Sequence, residues 1–252
     1  MESLDPSLKA LAILEACSGS GKEGLGVAEI TRATGLSRST VHRLVAALLE
    51  TGYLRKLPGK KYSLGYRILS LAAPLLDDSE LKEMVRPYLE RLAQRTGETV
   101  HLVQRNGHYA VYVDKIDSPQ PVGLLSKVGV RLLLHCTAAG KVLLAHMSEE
   151  ERRQVYETVG LPAQTPATIT SADKLEEELR IIREQGYALD KMENRDGVFC
   201  IAGPVFNHQK AVVASFSVSG PAFRFDLERA AGWAGEIKET SLHISKMLGY
   251  RP

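Results

Sequence analysis

Ser37-Arg38-Ser39-Thr40-Val41-His42-Arg43-Leu44-Val45-Ala46-Ala47-Leu48 is the stretch on which the fold turns. Val41, Leu44, Val45 and Leu48 recur at the spacing of one helix face, which predicts a helix from about Arg38 to Thr51 with that stripe buried. Ser37 suits the N-cap, where a hydroxyl accepts a backbone N–H that the first turn leaves unpaired. With the stripe held inward, Arg38, Ser39, His42 and Arg43 face outward. Gly52 ends the helix.

Working outward, Gly35 stops an earlier helix, Val27 to Thr34, that buries Val27, Ile30 and Ala33. A Gly- and Ser-rich loop over 18–24 separates it from a first helix at 7–17, where Leu8, Leu11, Ala12 and Leu14 share a face. Downstream, Tyr53–Leu57 and Tyr62–Leu64 flank Pro58-Gly59-Lys60-Lys61, the pattern of a β-hairpin. Helix, helix, Gly-centred turn, helix and basic hairpin make a winged helix-turn-helix. A major groove admits one α-helix, whose N-terminal residues reach base edges. The hydroxyls of Ser37, Ser39 and Thr40 at that helix start suit phosphate oxygens. Lys60 and Lys61 on the wing suit the backbone or the minor groove.

Charge distribution agrees. The 252-residue chain has a net charge of only +2, but residues 36–62 carry Arg38, Arg43, Arg55, Lys56, Lys60 and Lys61 against Glu50 alone. A basic segment on an otherwise near-neutral chain is the footprint of a nucleic-acid-binding module. Two plainer readings stay open: a solvated charged face, and a winged helix used for protein contacts. Salt dependence separates DNA binding from both, because phosphate contacts release counterions.

The remainder reads as a second domain. Residues 64–77 form a helical connector containing Pro74, where a kink or early stop is expected, and another helix covers about 79–96 up to Gly97. Thr99–Arg105 and Tyr109–Ile116 flank Asn106-Gly107, a hairpin signal. Short extended pieces are expected near 121–125 and 132–136, then helices at 138–147, 149–159 and 173–184. Strands follow at Ala188–Met192, Val198–Val205 and Ala211–Val218, and one last helix at Leu227–Met247. The expected organisation is a winged helix-turn-helix domain at 1–64, a linker helix at 65–78 and an α/β domain at 79–252.

The composition, 44% hydrophobic and 25% charged, is that of an ordinary globular protein. No run approaches ~18 apolar residues, so no membrane partner is expected. Cys17, Cys136 and Cys200 are far apart and outside any CxxC, which fits a reducing cytoplasm. A metal site from His101, His135, Cys136 and Glu193 matches no compact ligand spacing, and no cofactor motif is present.

Several segments, in order, resemble the IclR family of bacterial regulators. They are Ser37–Leu44, Gly52-Tyr53-Leu54, Tyr62–Gly65, Thr96–Val100, His135–Lys141, Leu161-Pro162, Thr168–Thr170, Gly186–Asp190, Gly197–Ala202 and Ser217–Pro221. The resemblance spans nearly the whole chain. It departs at Leu133, where the family commonly has proline. It implies a GAF-like α/β effector domain, dimers or tetramers on palindromic operators, and repression or activation of nearby catabolic genes. It also implies effector contacts at Ala138, Ala139, Gly140, Asp190, Val198, Cys200, Ser217 and Ser219.

The residues partly agree. Strand alternation puts Ser215, Ser217 and Ser219 on one face, opposite Val212, Ala214, Phe216 and Val218, and Val198, Cys200 and Ala202 on one face of their strand. The helix start at Ala138 offers free N–H groups that suit a carboxylate. A small organic acid is the expected effector, of which sugar acids and aromatic acids are two kinds. Plainer readings remain at this point. Ser217 and Ser219 also fit the wet side of an edge strand, Cys200 a buried hydrophobe, Asp190 a turn cap, and His135 a hydrogen-bonded core histidine. The rival classes are a cysteine-dependent enzyme using Cys200 or Cys136 with His135 or His101, and a regulator controlled by a protein partner.

Overall fold

The structure, a computed structural model, describes residues 5–21, 23–71, 80–120 and 126–252. The chain divides into two compact units, residues 1–79 and 80–252.

In the first unit, helices α1 (Pro6–Ser18), α2 (Val27–Thr34) and α3 (Arg38–Glu50) precede a hairpin of β1 (Leu54–Leu57) and β2 (Lys61–Leu64). Ile13, Cys17, Ile30, Leu36, Val41, Val45, Leu48 and Leu54 form its core. Gly35 ends α2 in the left-handed conformation, at φ 67°, which a side chain would strain. A bridge between Leu25 and Tyr62, unforeseen from sequence, ties the wing to the loop before α2 through N–H···O distances of 2.9 and 2.8 Å. Helical backbone resumes at 67–71. The rest of the expected connector, with the break expected at Pro74, lies outside the described residues.

The second unit is one antiparallel sheet between two helical layers. Its strands are β3 (Thr99–Asn106), β4 (Tyr109–Ile116), β5 (Arg131–Leu132), β6 (Ala188–Lys191), β7 (Val198–Phe206) and β8 (Val212–Pro221), in the spatial order β5-β4-β3-β8-β7-β6. Helix α4 (Glu80–Thr96) runs through Pro87. With α8 (Leu227–Gly232) and α9 (Ala234–Met247) it covers one sheet face, burying Leu89, Leu92, Ile237 and Ile244 against Leu102, Ile201, Phe216 and Val218. Helices α5 (Ala138–Ala145), α6 (Glu149–Thr158) and α7 (Ala172–Gln185) cover the other, burying Val142, Val155 and Leu179 with Val103, Ala188 and Ala202.

Two expectations need correction. The single last helix is two, broken at Trp233, where ψ is 0°. The run Gly232-Trp233-Ala234-Gly235 places two poor helix formers around the break. The extended piece expected at 132–136 ends at Leu132, and Leu134–Cys136 form a turn. Thr137 causes that turn: its hydroxyl donates to the Leu133 carbonyl at 3.0 Å and accepts the Gly140 N–H at 3.1 Å. The piece expected at 121–125 lies outside the described residues.

Candidate functional site

The first candidate surface lies on α3 and the wing. Ser37, Arg38, Ser39, His42 and Arg43 are exposed and Thr40 half-buried, while Val41, Val45 and Leu48 are buried on the opposite stripe. Ser37 caps α3, accepting the Thr40 N–H at 3.3 Å, and its hydroxyl lies 3.1 Å from that of Ser39 and 2.8 Å from that of Thr40. Lys60 is exposed at the wing tip and Lys61 half-buried beside it. Arg55, outside the expected set of contacts, is exposed on β1, its guanidinium 5.1 Å from the Tyr66 ring centre and 3.2 Å from the Tyr66 hydroxyl.

The second candidate lies on the sheet face under α5. Strand register sets side chains on this face in two adjacent rows. One runs Asp190, Cys200, Ser219, Thr99 across β6, β7, β8 and β3; the next runs Ala188, Ala202, Ser217, His101 and on to Lys115 of β4. Opposed residues in an antiparallel pair sit about 5 Å apart, so the first row is a continuous polar stripe, and the second is apolar at Ala188 and Ala202 and polar from Ser217 onward. Ser217 and Ser219 are 4% and 3% exposed, so the edge-strand reading does not hold. Val198 sits at the start of β7, opposite Pro221.

Helix α5 packs over this face. Ala138 and Ala139 belong to the core beneath it, so their side chains are packing groups and their backbone is what a ligand could meet. The Gly140 N–H is engaged by Thr137. A Cβ there would lie 2.4 Å from Thr137 Oγ1 and 2.5 Å from the Leu134 carbonyl oxygen, so glycine serves the close approach of α5 to the turn before it.

Electrostatics distinguish the polar groups. Asp190 Oδ1 accepts the Glu193 and Asn194 N–H groups at 2.7 and 3.4 Å, which caps the turn after β6. Burial pushes its carboxyl up to about 7, aided by the charge of Glu193 and opposed by the backbone hydrogen bonds and Lys141. An unfolded aspartate titrates near ~3.9. Between about pH 4 and about 7 the native state therefore binds more protons than the unfolded state at this site, and stability falls as pH rises. Asp190→Asn removes that slope. Urea melts at pH 5 and pH 8 should show the variant gaining on the parent protein at the higher pH; a constant difference would mean that Asp190 does not titrate in this window.

Burial raises the Cys200 thiol well above its usual range, and the adjoining Asp190 charge adds to this. Burial pushes the Cys136 thiol up to about 12. Its sulfur lies 3.7 Å from Asn194 Oδ1. His135, 2% exposed, bonds through Nε2 to the Pro162 carbonyl oxygen at 3.1 Å, which bears out the core-histidine reading. Among the described residues neither Cys136 nor Cys200 is hydrogen-bonded to a histidine, and no group of three or more His, Cys, Asp or Glu could hold a metal ion.

Sequence reasoning passed over Tyr112, Thr99 and Lys115, and weighed His101 only as a metal ligand or a base. Tyr112 stacks on His101 with ring centres 4.3 Å apart, and burial raises its hydroxyl, with the charges of Cys200 and Asp190 adding. Alternation along Thr99–Arg105 was the available signal, since it puts Thr99 and His101 on one face. The pairing of β3 with β8, distant in sequence, was not available.

Similarity to known proteins decides what these surfaces belong to. Residues 8–58 match the family model described as the IclR helix-turn-helix domain, and residues 73–246 match that of the bacterial transcriptional regulator IclR C-terminal domain. The chain belongs to the IclR family. This IclR-family protein is 36% identical over 243 residues to the HTH-type transcriptional regulator XynR of Escherichia coli (strain K12), covering 96% of each chain. It is 35% identical over 250 residues to the HTH-type transcriptional regulator KdgR of the same organism, covering 99% of this chain and 94% of that one. The crystal structure of the Thermotoga maritima IclR superposes with a TM-score of 0.78 at 33% identity, over 97% of this chain and 98% of that chain. The protein is a DNA-binding transcription regulator of the helix-turn-helix type. No helix among the described residues is long and apolar enough to cross a membrane.

Proposed function

We propose that this IclR-family regulator reads a palindromic operator as a homo-oligomer, and that a small organic acid bound on the α5 side of its sheet changes that grip. The observation that carries the reading is the polar group of Asp190, Ser219 and Ser217, buried, with half-buried Cys200, on the sheet face that α5 packs against. Backbone N–H groups and the positive dipole end at Ala138 and Ala139 suit a carboxylate, and the stripe supplies neutral hydrogen-bonding groups beneath it. Val198 and Gly140 shape the same site.

The division of labour is residues 1–64 for DNA, 65–78 as connector and 79–252 for the effector. Ser37, Arg38, Ser39, Thr40, His42, Arg43, Lys60 and Lys61 contact DNA. A symmetric oligomer matches a palindrome, since each copy presents the same head to one half-site. Coupling of this kind is worth ~1–3 kcal/mol, or about 5–150-fold in operator affinity. The protein acts in the cytoplasm and is not an enzyme. The raised thiols of Cys136 and Cys200, without a histidine partner among the described residues, support this, because the thiolate is the nucleophile.

The first test is selection of sheared host DNA on the purified protein at moderate salt. Enrichment of one or a few palindromic sites is expected, and their neighbouring genes then point to candidate acids; no enrichment, with or without cell extract, overturns the regulator reading. The second is the Ser217→Ala, Ser219→Ala double variant, expected to bind the recovered site like the parent while losing its response to the acid. Loss of both functions together would refute the division of labour.

A further inference from the structure

His101 has no role in the site as described so far. It is 1% exposed, in the middle of β3, between Ser217 of β8 and Lys115 of β4. One ring face stacks on Tyr112, at an interplanar angle of 26°. Nε2 lies 2.7 Å from the Ser126 hydroxyl. Nδ1 is buried and has no hydrogen-bond partner among the described residues. A buried polar atom without a partner costs its full desolvation, and native structures pair such groups nearly always. The Ser217 side chain, opposite His101 in register, is 4% exposed. A ring nitrogen without a partner and a buried hydroxyl therefore adjoin on the face that carries Asp190, Cys200 and Ser219.

We infer that His101 is a ligand-anchoring residue of the effector site, its Nδ1 pairing with a neutral hydroxyl or carbonyl oxygen of a monocarboxylic hydroxy or oxo acid. This rests on the effector-site reading above and adds to it a residue and a ligand class.

The class follows from the charges around the ring. Burial, with the nearby Lys115 charge adding to it, pushes the imidazole down to about 3, so the ring stays neutral at physiological pH. A neutral imidazole offers one N–H and one lone pair. With Nε2 committed to Ser126, Nδ1 takes whichever role the Ser126 hydroxyl leaves it. Either role suits a hydroxyl, and the donor role suits a carbonyl. A carboxylate draws its main stabilisation from charge-assisted donors, and the α5 N-terminus is the better place for it. A second carboxylate is disfavoured by Asp190 on the polar stripe and Glu193 in the turn after β6, 2% and 3% exposed. Tyr112 bridges the two ends: its ring covers His101, and its hydroxyl is within electrostatic reach of Cys200 and Asp190.

The experiment is calorimetry on the full chain with matched probes: glycolate, lactate, gluconate and 4-hydroxybenzoate against acetate, propionate, hexanoate and benzoate. At least one hydroxy acid should bind about tenfold or more tighter than its deoxy counterpart, which leaves Nδ1 unpaired. His101→Gln keeps a polar group at the Nε2 position and removes the one at Nδ1, so it should reduce that preference to near unity. His101→Asn keeps a group at the Nδ1 position and should retain most of it. A preference unchanged in His101→Gln, but lost in the Ser217→Ala, Ser219→Ala variant, overturns the role of His101 and leaves the effector site standing. Binding of none of the acids, or binding indifferent to both serines, overturns the site and this inference together. If His101→Gln fails to fold, the parent protein labelled with 15N-histidine decides. The Nδ1 resonance must move with the hydroxy acid and not with its counterpart, and equal movement refutes the assignment.

Discussion

Lys141→Met is expected to lower the stability of the effector domain by about 3–5 kcal/mol, the cost of stripping the partner from a buried charge. Lys141 is fully buried within α5, and its ammonium donates to Glu193 at 2.6 Å and to Glu178 at 3.1 Å. Glu193 is itself 3% exposed, and its Oε2 already lacks a partner among the described residues. Methionine matches the lysine stem in size and fills the same channel, so the packing is kept and only the charge is lost. The Glu193 carboxylate is then left in the interior with a single hydrogen bond among the described residues, from the Lys191 N–H at 3.3 Å. For a domain of this size the melting temperature should fall by roughly 10 °C. Lys141→Met combined with Glu193→Leu should recover a large part of the loss, because an apolar pair in place of a buried ion pair is often neutral. A melting temperature within about 2 °C of the parent in the single variant would show that this pair contributes little, and that water reaches Glu193.

The Arg38→Ala, Arg43→Ala double variant should lose affinity for the recovered operator by on the order of 100-fold or more, at about 1–3 kcal/mol per arginine. Both side chains are exposed beside the buried stripe of α3, so their removal costs the fold little. The thermal melt should stay within about 2 °C of the parent, since such surface changes fall within about 0.5 kcal/mol. The acid-binding isotherm should be unchanged. If Arg38 or Arg43 pairs with a guanine edge, specificity relaxes at one base position; if it touches only phosphate, affinity falls evenly across sequences and the salt slope decreases. A double variant that binds the operator normally would remove α3 from the DNA interface and return the winged helix to protein contacts.

In the N-terminal unit the order of elements and the α3 stripe were legible, but the buried faces of the first two helices were only partly so: Leu8, Leu11 and Ala33, expected inward, are exposed, and Ile13 and Cys17 are buried instead. Val41, Val45 and Leu48 lie three and four residues apart, Gly35 needs a positive φ, and Ser37 caps within three residues, so each signal is local and reads the same before and after folding. The strands at β7 and β8 were legible too, along with the face that Ser217 and Ser219 share. What alternation left open was whether that face meets water or the interior. The helical layer over it decides this: α5 is held on the sheet by side chains far along the chain, Ala188 and Ala202 among them.

By itself the sequence determined where the helices and strands of the winged head lie, which residues of α3 face outward, and which residues of β8 share a side. The tertiary structure alone decided that β3 pairs with β8, so that His101 and Ser217 adjoin although more than a hundred residues separate them. It alone decided that Asp190 is buried beside Glu193 and holds its proton toward neutrality, and that Lys141 is an interior charge. The physical reason is common to all three. Periodicity and capping are set by neighbours a few residues away. Desolvation and charge pairing are set by whatever the fold brings alongside, and a titratable group has no shifted pKa or buried partner until that happens.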